Sequence, residues 1–157
     1  MPFPVILVWG NAMRVEYVRV EHLGYLAEIE ALCFPDPWSR EALALLVSDK
    51  AFGLACIDEK TEQVLAYVGV LTVLDEGQIL NVATHPAWRR RGLADALLTA
   101  LINEAEKKGL LTLSLEVRES NTAAISLYEK HGFAVAGKRP RFYTHPTEAA
   151  LVMLRNL

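Results

Sequence analysis

Apolar and polar positions along this chain follow two periods, one near two residues and one near 3.6, and each change of period marks the border of an element. Val15 to Val20 (VEYVRV) alternates and predicts a strand. From His22 to Cys33 the spacing lengthens, so that Leu23, Leu26, Ile29, Glu30 and Cys33 fall three and four residues apart, mostly the stripe of an amphipathic helix. Phe34-Pro35-Asp36-Pro37-Trp38 ends that helix, because each proline removes a donor and restricts the residue before it. Ser39 is placed to cap a second helix running to about Val47, with Glu41 in its electropositive first turn. Ala51–Ile57 and Val64–Val73 read as strands joined by the polar segment DEKTEQ, as in a hairpin, and Gln78–Thr84 as a further strand set off by Asp75-Glu76-Gly77.

After Gly92, Leu93, Leu97, Leu101 and Ala105 line one helical face, widened by Leu98 and Ile102, up to two lysines and Gly109. Leu111–Arg118 (LTLSLEVR) alternates strictly, with Leu111, Leu113, Leu115 and Val117 on one side and Thr112, Ser114, Glu116 and Arg118 on the other. Asn121 is placed to cap a short helix that stops at Gly132, and Phe133–Ala136 and Glu148–Leu154 are the last strand candidates. The order of elements predicts an α/β protein with a mixed sheet covered by helices. With no repeat and no linker, residues 15–157 are expected to form a single domain after an N-terminal extension, residues 1–14, whose order is left open and in which Met13 is an alternative start.

Composition narrows the class. At 157 residues, 52% hydrophobic and 22% charged, the chain fits one globular domain. No run reaches the roughly 18 apolar residues that a bilayer crossing requires. The apolar stretch Phe3–Trp9 lacks a preceding Lys or Arg and a small-residue cleavage site, so a cytoplasmic protein without a signal peptide is expected. Cys33 and Cys56 are isolated and read as reduced thiols rather than metal ligands or an acyl-carrying nucleophile. A net charge of -3 gives no general attraction to nucleic acid or to anionic lipid, so any anion must be held locally.

One place offers to do so. Arg89-Arg90-Arg91-Gly92 runs from a strand into a helix, whose first turn presents unpaired amides and a partial positive charge. Gly92 permits close backbone approach and Ala94 leaves room. The stretch is neither a GxxxxGK[ST] loop nor a GxGxxG turn, and on spacing alone a solvated arginine loop and an anion site are equal readings.

The segment Arg89-Arg90-Arg91-Gly92-Leu93-Ala94 resembles the acetyl-CoA loop of the GNAT acyltransferase superfamily, with NVATHP (Asn81–Pro86) similar to its preceding strand and turn, and SNTAAISLYEKHGF (Ser120–Phe133) to its later helix. Within that superfamily, LEVRESNTAAISLYEKHGF, FPDPWS and RFYTHPTEAALVM resemble the bacterial ribosomal-protein-alanine N-acetyltransferases, the RimI type, with an extra Asp-Pro in the second segment and a shortened final hairpin loop. The resemblance implies a GNAT-like fold: a mostly antiparallel sheet of six to seven strands flanked by about four helices. It implies acetyl-CoA as donor, no metal, and a protein N-terminus as acceptor, the N-terminal alanine of a ribosomal protein. It further implies a monomer or weak dimer with no nucleic-acid or membrane partner.

The resemblance also assigns roles. Glu116 is the implied base, the alternative being a surface carboxylate paired with Arg118 or a lysine; Tyr128 is the implied acid, the alternative being an ordinary buried tyrosine. Val82, Ala83 and Thr84 would offer strand backbone to the pantetheine arm, and Arg91, Gly92, Leu93 and Ala94 amides to the diphosphate. Arg89 and Arg90 either screen the phosphates or are solvated, and Asn121 either caps its helix or touches pantetheine or does both. Phe34, Trp38 and Tyr143 are implied walls of the acceptor groove, or else core. Acceptors of other kinds, lysine side chains or small amines, stand as the alternative, as does a non-catalytic acetyl-CoA-binding module, which would need neither Glu116 nor Tyr128.

Overall fold

The computed structural model describes residue 3, residues 5–8 and residues 10–157. Among these, eight strands form one sheet in the order β1-β2-β3-β4-β5-β6-β8-β7. They are β1 (Val5–Val8), β2 (Asn11–Tyr17), β3 (Ala51–Asp58), β4 (Val64–Val73), β5 (Glu76–Thr84), β6 (Thr112–Arg118), β7 (Ala134–Tyr143) and β8 (Glu148–Asn156). Four helices cover the sheet: α1 (Leu23–Cys33), α2 (Arg40–Leu43, continued as a 3-10 turn to Val47), α3 (Leu93–Lys107) and α4 (Thr122–Lys130).

The sheet is mixed, as expected, with one strand more than six to seven. The addition is β1, which pairs antiparallel with β2 from Val5↔Arg14 to Val8↔Asn11. Residues 5–8 of the N-terminal stretch are therefore strand; Met1, Pro2, Pro4 and Trp9 lie outside the described residues. Two boundaries also move. The strand expected at Val15–Val20 runs from Asn11 to Tyr17, because pairing with β3 spans Met13↔Asp58 to Tyr17↔Leu54 and Val20–His22 turns into a 3-10 segment. The strand expected to stop at Ala136 continues to Tyr143, held by β8 with two register shifts.

Burial divides the sheet. Every residue of β3 is buried, with Phe52, Leu54 and Cys56 packing under α3 and Ala51, Ala55 and Ile57 under α1 and α2. A strand covered on both faces reads as a continuous apolar run. At the other edge β7 is exposed over nearly its whole length. In α3, Leu93, Leu97, Leu101 and Ala105 are all buried, which confirms the predicted stripe. The predicted inward set of β6 holds for Leu113, Leu115 and Val117, but Leu111 precedes the strand and is exposed, and Leu110 takes the buried place.

All neighbouring strands are antiparallel except β5 and β6, whose parallel pairing covers only Glu76↔Thr112 to Gln78↔Ser114. Immediately beyond, β5 shifts register against β4, with Val70↔Ile79 followed by Gly69↔Asn81, so that Leu80 is an extra residue. A bulge bends its strand and strengthens the local twist. Here it carries β5 away from β6 and opens the sheet down its middle.

Candidate active site

The opening between β5 and β6 is a cleft of about 650 Å³, within the size of small-molecule sites. One wall is β5, from Gln78 to Val82. The opposite wall is β6, with Leu115, Glu116, Val117 and Arg118, continued by Asn121 and Tyr128 of α4. The mouth is formed by Phe34, Asp36 and Trp38 from the α1–α2 loop and by Phe142, Tyr143 and Thr144 from the end of β7. Six implied site residues outside β5 (Phe34, Trp38, Glu116, Asn121, Tyr128 and Tyr143) thus meet at one cavity with Val82, although they span most of the chain.

Glu116 owes its position to strand alternation: its neighbours Leu115 and Val117 point into the core, so its own carboxylate faces the cleft. Its side chain retains 16% of its exposure, and the nearest cation, Arg139 Nη2, stands 3.7 Å away. The pairing with Arg118 that the sequence allows is not formed. Arg118 instead bonds Glu148 at 3.2 Å and the carbonyls of Thr144 and Pro146, and lies over the Tyr143 ring at 4.5 Å. It braces the β7–β8 loop and leaves Glu116 lightly partnered.

Tyr128 is the buried residue of α4 and packs edge-on against Phe133 at 6.0 Å. Burial, with a smaller contribution from Tyr143, pushes its hydroxyl up to about 12. The phenol therefore holds its proton at any physiological pH. Tyr143 is also raised, chiefly by burial and then by the Glu116 charge. Asn121 caps α4, its Oδ1 accepting from the Ala124 amide at 3.2 Å, and it lines the cleft as well. Phe34 and Trp38 pack on the core beneath α1 and also line the cleft.

The arginine loop is built for its turn. Gly92 has φ +83° with nothing within 4 Å of where a Cβ would be, so glycine is required by conformation rather than by space. Arg90 also has positive φ, at 63°. Gly92 is the N-cap of α3 and supplies no side-chain cap, so the first amides of the helix lack the partner that Ser39 and Asn121 give theirs. Ala83 and Leu93 point into the core, so only their backbone is available. Arg89 donates to Cys33 Sγ at 3.3 Å, and Arg91 lies 4.9 Å from the centre of the Trp88 ring.

Asp95, in the first turn of α3, is engaged by His131 Nε2 at 2.9 Å and Lys130 Nζ at 3.0 Å. Burial opposes its ionisation, but these two partners prevail and hold it below the usual carboxylate range. The contact offsets a negative charge beside the uncapped amides and ties the end of α4 to the start of α3.

Two thiols are disposed of by their surroundings. Cys56 is fully buried and pushed up to about 12 by burial, and Cys33 donates to the Thr84 carbonyl at 3.3 Å. Among the described residues no group of three or more His, Cys, Asp or Glu is placed to hold a metal, and no helix is long and apolar enough to cross a membrane.

A second carboxylate shows in the sequence only as a member of the α1 stripe. Glu30 is 1% exposed and borders the cleft. It accepts from the Trp38 amide at 2.9 Å, from the Tyr67 hydroxyl and from Asn81 Nδ2 at 3.1 Å. The legible signal is an acidic residue in an otherwise apolar stripe, whose burial has to be offset by partners.

The sheet is mixed and split between two parallel strands, with an uncapped helix start beyond one of them. Residues 23–133 match the acetyltransferase (GNAT) family, and the chain belongs to it. It is an N-acetyltransferase. It is 39% identical over 127 residues, 80% of this chain and 84% of the relative, to the [ribosomal protein bS18]-alanine N-acetyltransferase of Escherichia coli (strain K12). The crystal structure of the ribosomal-protein-S18-alanine N-acetyltransferase from Escherichia coli superposes with a TM-score of 0.85 at 34% identity, covering 92% of this chain and 93% of that one. The structure of Arabidopsis thaliana NAA60 in complex with acetyl-CoA shares the fold, with a TM-score of 0.83 at 17% identity over 92% of this chain and 98% of that one.

Proposed function

We propose that this protein transfers the acetyl group of acetyl-CoA to the α-amine of a protein N-terminus, the acceptor being the N-terminal alanine of a ribosomal protein. The observation that carries this reading is the meeting of Glu116 and Tyr128 on one wall of a cleft whose other wall is the unpaired length of β5. Donor binding follows from the same geometry. The free edge of β5 around Val82 offers backbone to the pantetheine arm, and the uncapped amides from Leu93 onward take the diphosphate, with Arg89 and Arg90 at its rim.

Glu116 removes a proton from the incoming ammonium, directly or through a water. The amine nitrogen then attacks the thioester carbonyl; as the tetrahedral intermediate collapses the C–S bond breaks, the departing sulfur takes the Tyr128 proton, and the second proton that the nitrogen sheds on becoming an amide returns through solvent to the tyrosinate. Tyr128 enters this step protonated, and burial makes it a weaker acid than an ordinary phenol. An α-amine, with a pKa near 8 against about 10.4 for lysine, yields its proton more readily to a lone carboxylate. The similarity to alanine N-acetyltransferases supports the acceptor.

The test is a panel of peptides differing in their first residue, incubated with acetyl-CoA, with release of free thiol measured and the product fragmented in the mass spectrometer. Acetylation on the α-nitrogen of alanine-initiated peptides is the expected result. Modification confined to lysine side chains or to small amines overturns the acceptor assignment.

A further inference from the structure

Glu30 stands out because one carboxylate joins the mouth of the cleft to its β5 wall. Its Oε1 accepts from the backbone of Trp38 in the α1–α2 loop, and its Oε2 accepts from the side chain of Asn81 on β5. Asn81 is the first residue past the bulge that opens the sheet and directly precedes Val82. Tyr67, fully buried in β4, donates to the same Oε2 and lies 3.4 Å from Asn81 Nδ2, closing the cluster from beneath. With these donors satisfying it, Glu30 is poorly placed to take up a proton from substrate. Its environment suits it to fixing a separation.

We propose that Glu30 is a positioning residue for the acceptor: its carboxylate ties the Trp38 side of the acceptor groove to Asn81 on the donor strand, and so sets where the amine stands relative to the thioester. The proposal rests on the functional reading above. It names a residue that touches neither reacting group and acts through Trp38 and Asn81. A tie between the mouth and the β5 wall sets the seat of the acceptor rather than the reacting groups themselves, so its loss is read in the acceptor KM.

Glu30→Gln separates this role from mere packing. The amide keeps the volume but has one acceptor oxygen. If that oxygen serves Trp38, the NH₂ is met only when the Tyr67 hydroxyl accepts or Asn81 turns its Oδ1 inward; if it serves those two, the NH₂ faces the Trp38 amide. Either way the charge-assisted bonds of the tie become neutral ones, roughly half as strong. The KM for the preferred acceptor is expected to rise by at least about tenfold, the size of a lost hydrogen bond to a charged group, while the KM for acetyl-CoA changes by less than about twofold. A purely structural residue would lower Tm and the active fraction, hence apparent kcat, with both KM values unmoved. That pattern, or an unchanged acceptor KM in folded protein, overturns the proposal.

Should Glu30→Gln fail to fold, Asn81→Ala cuts the donor-strand tie alone. A rise in acceptor KM exceeding any change for acetyl-CoA sustains the role, and its absence sinks it. The acceptor used is whichever amine the wild-type protein modifies best. If peptides prove inert and another amine is modified, the acceptor assignment falls by itself, and the KM split on that amine still decides the role of Glu30.

Discussion

Two carboxylates border the cleft, and their surroundings are opposite. Glu30, on the α1 side, is 1% exposed, and three hydrogen bonds from the α1–α2 loop, β4 and β5 hold it. Glu116, on the β6 side, keeps 16% of its exposure and has a cation no nearer than 3.7 Å. A buried carboxylate held by donors on both oxygens is a structural tie; one that faces a cavity without such donors is open to an incoming proton. Residue type alone does not distinguish them, whereas the census of donors around each does.

The comparison breaks most sharply at Glu116. Glu116→Gln is expected to lower kcat at neutral pH by roughly 10² to 10⁴ with little change in acetyl-CoA affinity or Tm, because the side chain bears no fold-critical contact. Steady-state kinetics alongside calorimetric titration of acetyl-CoA would show it, and wild-type turnover in the variant would remove Glu116 as the base.

A smaller loss is expected at Tyr128. Tyr128→Phe keeps the packing on Phe133 and removes only the donor to the leaving thiolate, so kcat should fall by about 10² while both KM values stay within a few fold. Thiol release measured against pH tests the assignment further. If Tyr128 is the acid, the wild-type profile shows no decline from this group until pH approaches the value of about 12 set by its burial. An unaltered kcat in the phenylalanine variant would return Tyr128 to the core.

The smallest effect lies away from the cleft and sharpens the contrast between buried and lightly partnered groups. His22 is buried, its Nδ1 accepts from the Arg19 amide at 2.9 Å, and burial lowers its pKa below 6.5 against the pull of Glu16. The folded protein therefore binds this proton less readily than the unfolded chain does. Stability from this site is fully present above pH 6.5 and is lost as pH falls through the lowered value. Tm followed from pH 7.5 to 5 should drop, and His22→Asn, which retains an acceptor for the Arg19 amide, should flatten that slope. A slope that persists in the variant would assign the acid sensitivity elsewhere.

Much of the fold is written locally. The long helix α3 can be placed from its leucine stripe, and its two ends from Gly92 and Gly109; Gly109 adopts the positive φ of a C-terminal glycine, and Gly92 the positive φ of the turn that enters the helix. The alternation of β6 suffices to turn Glu116 away from the face that Leu115 and Val117 bury. By contrast, β7 from Gly137 to Tyr143 carries Lys138, Arg139, Pro140 and Arg141 on an exposed edge, and nothing in that composition announces a strand. It is one because β8 supplies its partner. Glu30 is visible in the sequence only as an acidic member of an apolar stripe, and its partners Tyr67 and Asn81 lie 37 and 51 residues away.

Periodicity, capping residues and glycine turns thus determined most of the elements and their order, since each depends on interactions within a turn or two of chain, while the family was legible in the resemblance of its motifs. The sequence also supplied the candidate reactive groups. The length over which β5 and β6 stay paired, the bulge at Leu80 that ends it, and which carboxylate is held and which left open were decided only by tertiary structure. These outcomes depend on donors and acceptors brought together from distant segments, and local spacing carries no record of which of them will meet.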